Sequence, residues 1–162
     1  MKITHPIPPV YDSNSRILIL GSFPSVKSRE EKFFYGHPQN RFWKVTAAIF
    51  GEETPTTTDE KRAFLLRNRI AVWDVLASCE IKGSADNTIC NATPNDLTKI
   101  LSEANIEQIY LNGKTAYRYY QEYIEPKSGR KAILLPSTSP ANAAWTLEKL
   151  IKEWAQIKGG TE

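Results

Sequence analysis

Cysteine and histidine are scarce in this chain. It holds two cysteines, Cys79 and Cys90, and two histidines, His5 and His37. There is no CxxC pair and no His-rich tract, so a zinc or iron–sulfur centre has almost nothing to build on and no metal is expected. Long apolar runs are missing as well. The longest aliphatic stretch is Ile17 to Leu20, far short of a membrane span. The opening MKITHPIPPVYDS has no apolar region of the signal-peptide type. Together with two unpaired thiols this reads as a soluble, cytoplasmic protein with no membrane partner. The chain also lacks GxGxxG, GxxxxGK[ST] and GxSxG, which removes the usual glycine frameworks of dinucleotide binding, P-loop chemistry and α/β-hydrolase chemistry.

What is present fits one globular domain spanning residues 1–162. Hydrophobic residues make up 41% and charged residues 24%, enough to bury a core without disulfide or metal support. The net charge of +3 permits a phosphate-binding face without requiring one. The first fifteen residues carry three prolines and no periodicity; they are expected as an arm on the surface. RILILGS (Arg16–Ser22), IAVWDVL (Ile70–Leu76), QIYLNG (Gln108–Gly113) and KAILLPS (Lys131–Ser137) are short apolar runs, the pattern of strands buried on both faces. Helical signals separate them. Asn40 opens a helix that Gly51 stops, and Thr57 with Glu60 forms a capping box. Thr93-Pro94 and Ser139-Pro140 read as helix starts, and Lys114 to Ile124 as the helix after the third strand. In the last helix Leu147, Leu150, Ile151 and Trp154 form one apolar stripe. The tail from 159 to 162 is expected to fray.

Strands alternating with helices make βαβ units, hence a parallel sheet of four strands between helix layers, an α/β/α sandwich. Ligands of such sheets bind beyond the carboxyl ends of the strands. The segments there, Gly21–Asn40, Ala77–Ala92, Asn112–Lys114 and Pro136–Asn142, are polar and rich in Asn, Ser and Thr.

Several residues in these segments can carry chemistry. The first loop combines Phe33, Phe34, Tyr35, Phe42 and Trp43 with Lys27, Arg29, Lys32 and Arg41; aromatic faces suit a stacked base and cations suit phosphates. Phe42 and Trp43 read equally as core residues starting a helix. The Asn40 and Asn112 amides can orient a water or bind a base edge, and both also read as ordinary cap and turn residues. LPSTSPAN (Leu135–Asn142) leads from a strand into an expected helix N-terminus, which favours a phosphate. Asp74, Asp86 and Asp96 are candidate acids, with no pair standing out. Lys114 as a Schiff-base nucleophile has no supporting motif.

Taken in order, ILGSFPS, FYGHPQNRFW, LNGKTAY and LPSTSPAN, with AVWDVL and GSAD as a weaker fifth element, resemble the uracil-DNA glycosylase superfamily, closest to its hypoxanthine-DNA (deoxyinosine) glycosylase branch. The resemblance covers about Ile17 to Trp154. It implies a monofunctional DNA repair enzyme, acting as a monomer without a cofactor, that flips a deaminated base out of DNA. Water is the implied nucleophile and an abasic site the implied product. Carried over residue by residue, it makes Gly21, Ser22, Phe23, Pro24 and Ser25 the water- and base-binding loop. Tyr35 becomes the stacking aromatic, Asn112 the reader of the base edge and Asn40 the catalytic residue. Ser137, Thr138, Ser139, Pro140, Ala141 and Asn142 become the loop that grips DNA, with Arg41 and Lys114 meeting phosphates. One departure is Phe23, which stands where many relatives carry Asp or Asn and which cannot position water. It shifts weight to Asn40 and to a purine base. It also leaves open a mismatch uracil/thymine glycosylase, or a damaged-DNA-binding module that has lost the chemistry.

Overall fold

The computed structural model describes residues 1–161. Its centre is a parallel sheet of four strands, β2 (Ile17–Gly21), β3 (Ile70–Asp74), β6 (Gln108–Asn112) and β7 (Ala132–Leu135), in the order β3-β2-β6-β7. β2 is buried along its whole length because its side chains feed two cores. Ile17 and Ile19 point into one apolar cluster with Phe42, Val45, Phe64, Leu150 and Trp154. Leu18 and Leu20 point into the other, with Leu76, Ile100, Leu111, Ala116 and Tyr120. The period-two alternation of a strand is what divides one apolar run between two helix layers.

The first layer holds α2 (Phe42–Phe50), α3 (Thr58–Arg67), α7 (Leu147–Trp154) and α8 (Ile157–Thr161). The second holds α4 (Thr98–Glu103) and α5 (Lys114–Tyr119); α5 runs through one π-type turn, Tyr120–Ile124, into α6 (Glu125–Ser128). The capping box of α3 is formed in both directions: the Glu60 N–H donates to Thr57 Oγ1 at 3.1 Å and the Thr57 N–H to Glu60 Oε1 at 3.2 Å. The four strands and the sandwich are as the apolar runs imply.

Other elements differ from the sequence expectation. A second sheet, antiparallel and ordered β1-β4-β5, joins β1 (Lys2–Thr4), β4 (Leu76–Glu80) and β5 (Cys90–Pro94). The first fifteen residues are therefore no surface arm. β1 pairs with β4, Val10 bridges to Val72, and Ile7 and Val10 are buried. Thr93-Pro94 ends strand β5 opposite Leu76 instead of starting a helix. The helix begins at Thr98, whose N–H is capped by Asp96 Oδ1 at 2.9 Å. Pairing with β4 outweighs the local capping preference, and a proline is tolerated at the end of an edge strand. The first loop contains a short helix, α1 (Val26–Glu31), capped by Ser25. The tail does not fray at 159–161: these residues belong to α8, with Ile157 and Thr161 buried. Residue 162 lies outside the described residues. No helix among them is long and apolar enough to cross a membrane.

Sheet topology marks the site. The chain leaves β2 towards β3 on one side and later returns to place β6 on the other, so the strand order reverses between β2 and β6. At such a switch point the connecting loops diverge and leave a crevice above the carboxyl ends. Gly21, Asp74 and Asn112 are the last residues of β2, β3 and β6.

Candidate active site

A cleft of about 630 Å³ opens over those three strand ends, with Tyr35, Asn40 and Asp86 also in its wall. This size suits a nucleobase with part of its sugar. Gly21 is required by close approach. A Cβ there would lie 2.5 Å from Asp74 Oδ1 and 3.2 Å from the Tyr35 hydroxyl, so only a bare Cα lets both groups sit at the cleft floor.

Three separate segments meet at Thr138. Its hydroxyl donates to Asn40 Oδ1 at 2.9 Å and accepts from Asn112 Nδ2 at 3.0 Å. Its N–H donates to Asn112 Oδ1 at 3.0 Å, and its carbonyl accepts the Arg41 N–H at 3.0 Å. Asn40 Oδ1 takes a second hydrogen bond, from the Phe42 N–H at 2.9 Å, at the first turn of α2. This fixes the Asn40 amide: its oxygen is occupied by two donors, which leaves its NH₂ as the group free for the cleft. Asn112 is held as firmly, in a two-point contact with Thr138 that leaves one N–H uncommitted. The cap role of Asn40 and its place in the cleft wall thus coexist in one residue.

Tyr35 has φ +52°. One face of its ring is stacked on Phe42 at 4.1 Å and 14°, and the residue lines the cleft. Its hydroxyl is buried without a hydrogen-bond partner among the described residues. Burial, aided by the charge of Asp74 and opposed by Asn112, pushes this phenol well above its ordinary range, so it is a donor at any working pH. Phe23 is 8% exposed and packs edge-on against His5 at 5.8 Å, with the Arg29 guanidinium 5.7 Å from its ring centre. Gly21, Ser22, Phe23, Pro24, Ser25 and Asn112 all line the cleft, and Ser25 at the same time caps α1 by accepting the Ser28 N–H at 3.1 Å.

A family model described as the uracil DNA glycosylase superfamily matches residues 8–158. The chain belongs to that superfamily. Two curated relatives, hypoxanthine DNA glycosylases of Methanosarcina barkeri (strain Fusaro / DSM 804) and Methanosarcina acetivorans, are each 34% identical to it. The matches extend over 92% and 93% of this chain and 94% of each relative. A solution NMR structure of a candidate uracil DNA glycosylase from Methanosarcina acetivorans superposes with a TM-score of 0.83 at 31% identity, covering 99% of both chains.

Within this superfamily fold, some residues expected at DNA do other work. Thr138 is fully buried and is the link just described, not a surface contact. Arg41 is turned inward: its guanidinium donates to the carbonyls of Ser139 (3.0 Å), Asn142 (3.1 Å) and Trp145. It clamps the 137–145 loop instead of meeting a phosphate. Ser139-Pro140 starts no helix: the Ser139 and Asn142 carbonyls also accept the Asn142 and Trp145 N–H groups, at 3.0 and 3.2 Å, in successive turns, and α7 begins only after the Thr146 cap, which accepts the Lys149 N–H at 3.2 Å. Ser137, Ser139, Pro140 and Ala141 line the cleft mouth. Asn142 braces the same loop, donating from Nδ2 to the Ser137 carbonyl at 3.0 Å. Lys114 is exposed at the start of α5 and outside the cleft wall, which removes the geometric basis for a Schiff-base role.

Sequence reasoning named Asp74 and Asp86 as separate candidate acids and missed that the fold brings them together: both line one cleft, although no carboxylate pair stands out along the chain. Asp86 Oδ1 accepts the Ser22 hydroxyl at 2.9 Å. Burial raises its carboxyl above the usual range, with Ser22 pulling down and Asp74 pushing up. Asp74 Oδ2 meets His5 Nε2 at 2.8 Å. An aspartate ending a strand that is otherwise apolar was the available signal for Asp74. Nothing in the proline-rich N-terminus pointed to His5. Among the described residues no group of three or more His, Cys, Asp or Glu side chains is arranged to hold a metal.

Proposed function

We propose that this chain is a monofunctional DNA glycosylase that hydrolyses the N-glycosidic bond of a flipped deaminated base, hypoxanthine above all, and leaves an abasic site. The observation that carries the reading is the joining of Asn40 and Asn112 through the Thr138 hydroxyl at the mouth of the β2–β6 crevice. Two rigid amides, one for a water and one for a base, stand in one cleft of nucleobase size. The names borne by the Methanosarcina relatives support the choice of hypoxanthine.

In this mechanism the loop 137–142, clamped by Arg41, presses on the strand while the damaged nucleotide flips out. Flipping costs a few kcal/mol, least for a mispaired base. Tyr35, with Phe23 nearby, receives the purine. The remaining N–H of Asn112 donates to the O6 carbonyl, and Asp74 Oδ1 accepts the N1–H. Adenine presents a lone pair at N1 and would set it against the carboxylate, so the pair selects hypoxanthine over adenine. Asn40 donates from Nδ2 to one lone pair of the attacking water and leaves the other for C1′. As the C1′–N9 bond lengthens, negative charge grows on the base, and the hydrogen bond at O6 strengthens with it. The water gives up one proton as its oxygen bonds to C1′, and the departing base anion takes one up; no amine of the enzyme enters the bond changes, so the products are a free base and an abasic sugar.

The test is excision at enzyme excess from duplexes holding one hypoxanthine, uracil, xanthine or thymine, followed by alkaline cleavage. Cleavage led by hypoxanthine is expected. Uracil-led cleavage would redirect the reading to a mismatch uracil/thymine enzyme, and binding of every duplex with cleavage of none would make the chain a damaged-DNA-binding module.

A further inference from the structure

The amino-terminal strand carries a histidine to the underside of the cleft. β1 pairs with β4, and the His5 N–H extends that pairing by donating to the Ala77 carbonyl at 2.7 Å. The chain then turns, and the Ile7 N–H donates back to His5 Nδ1 at 3.1 Å. A ring nitrogen that accepts an N–H carries no proton of its own, so the imidazole is the neutral tautomer protonated at Nε2. That N–H lies 2.8 Å from Asp74 Oδ2, with the two side chains 3% and 5% exposed. The rings of Phe23, Phe34 and Trp73 surround the imidazole at 5.8, 6.2 and 6.3 Å, so it has little freedom to rotate.

The consequence falls on the other carboxylate oxygen. Among the described residues Asp74 Oδ1 has no hydrogen-bond partner, and it lies over the bare Cα of Gly21 in a residue that lines the cleft. A carboxylate held by one oxygen can only present the other. Without the anchor it would turn about χ2, and neither oxygen would keep a fixed place.

We infer that His5 is a positioning residue for base selection: by anchoring Asp74 Oδ2 it keeps Oδ1 as a fixed acceptor at the cleft floor. The amino-terminal strand is then a working part of the active site. This rests on the proposal that Asp74 faces the flipped base. A site built around one hydrogen-bonding edge rejects an analogue lacking it by orders of magnitude, but only while the site's own groups are immobile.

The experiment compares His5→Leu, which keeps bulk and removes the donor, with His5→Gln, whose amide N–H can replace Nε2–H. Both are made alone and on an Asp74→Asn background. Single-turnover excision is measured from hypoxanthine duplexes, together with affinity for undamaged duplex, thermal midpoint and the ¹⁵N shifts of the His5 ring. His5→Leu is expected to lower excision about ten- to a hundredfold, the scale of a misplaced site group, with affinity for undamaged duplex unchanged. His5→Gln should restore most of the rate, His5→Leu should add nothing on the Asp74→Asn background, and the ¹⁵N shifts should report the Nε2–H tautomer. Excision by His5→Leu at the unmodified rate would overturn the positioning role alone. So would a loss that is fully additive with Asp74→Asn, or one that follows the thermal midpoint and is not rescued by glutamine. An unmodified chain that excises no base would overturn the functional reading and the positioning role together.

Discussion

Replacing Thr138 with valine tests the centre of the site with little change of volume. The substitution removes one hydroxyl and the two hydrogen bonds it makes, to Asn40 Oδ1 and from Asn112 Nδ2. The backbone N–H to Asn112 Oδ1 and the Phe42 N–H to Asn40 Oδ1 remain, so neither amide is released entirely. Leaving buried polar partners unpaired costs about 1–3 kcal/mol. For a chain of this length each kcal/mol moves the thermal midpoint by roughly 2–4 °C, so a fall of several degrees is expected and the protein stays folded at 25 °C. The effect on chemistry is larger than that on folding. Asn40 loses one of the two donors that fix its amide plane, and a displacement of about 1 Å at a reacting group costs about a hundredfold. Excision should drop about ten- to a hundredfold, each factor of ten being about 1.36 kcal/mol of barrier. Affinity for the duplex should hold, because Thr138 is fully buried and cannot touch a phosphate. Single-turnover excision and binding are measured on the same hypoxanthine duplex, with Thr138→Ser as the variant that keeps the hydroxyl. A Thr138→Val enzyme that cleaves at the unmodified rate, or that loses binding and rate in equal measure, refutes the argument.

Asn40→Ala should reduce single-turnover excision far more than DNA affinity; equal losses would remove it from the chemistry, and borohydride should trap no covalent adduct. Gly21→Ala places a methyl 2.5 Å from Asp74 Oδ1, so it should weaken both excision and folding, whereas Gly159→Ala, with open space around it, should leave excision alone. Arg41→Met should leave the low-salt affinity slope unchanged, since Arg41 contacts carbonyls and not phosphates, yet slow excision by loosening the 137–145 loop; a slope reduced by about one would return Arg41 to the phosphate contacts. Asp86 gives a pH test. Its carboxyl is raised, by burial first and by Asp74 second, against the pull of Ser22; His5 lies behind Asp74, and Arg29 is tied to the same loop at the Gly83 carbonyl. The folded chain therefore holds that proton to higher pH than the unfolded chain, and stability is lost as pH rises through the folded value. Asp86→Asn should raise the thermal midpoint at pH 7 and leave it unchanged near pH 3; a gain of equal size at both would show that the carboxyl is not raised.

The sheet was legible because burial on both faces writes itself into composition. Ile17 to Leu20 has no polar alternation, and a strand of that kind fits only between two layers. The second sheet was not legible for the opposite reason. Leu76–Glu80 and Cys90–Pro94 are mixed segments whose pairing depends on each other and on Lys2–Thr4, and local propensity says nothing about a partner many residues away. Thr93-Pro94 shows the cost: the dipeptide has strong helix-start chemistry, and a strand partner overrode it. The N-terminal segment was misread by the same logic. Its prolines signal the lack of regular structure, which is not the lack of burial, and Ile7 and Val10 are core residues in an irregular segment.

Within the site, residues next to a strand end were readable and residues that act through another were not. Gly21 and Asn112 follow apolar runs, so their place at the carboxyl edge comes directly from chain order. Thr138 and Arg41 stand in equally conspicuous motifs, and their polar character suggested DNA. Their real partners are Asn40, Asn112 and three carbonyls of the 139–145 segment, all distant in sequence or hidden in the backbone. A polar residue in a loop announces that it needs a hydrogen bond, and sequence alone does not say whether water, phosphate or the protein provides it. Here the protein provides it, and this has a consequence for how the enzyme works. A site built of amides, hydroxyls and an anchored carboxylate lowers a barrier through orientation and preorganised electrostatics. Such a site must spend its conspicuous polar residues on holding one another still before any of them can hold the substrate.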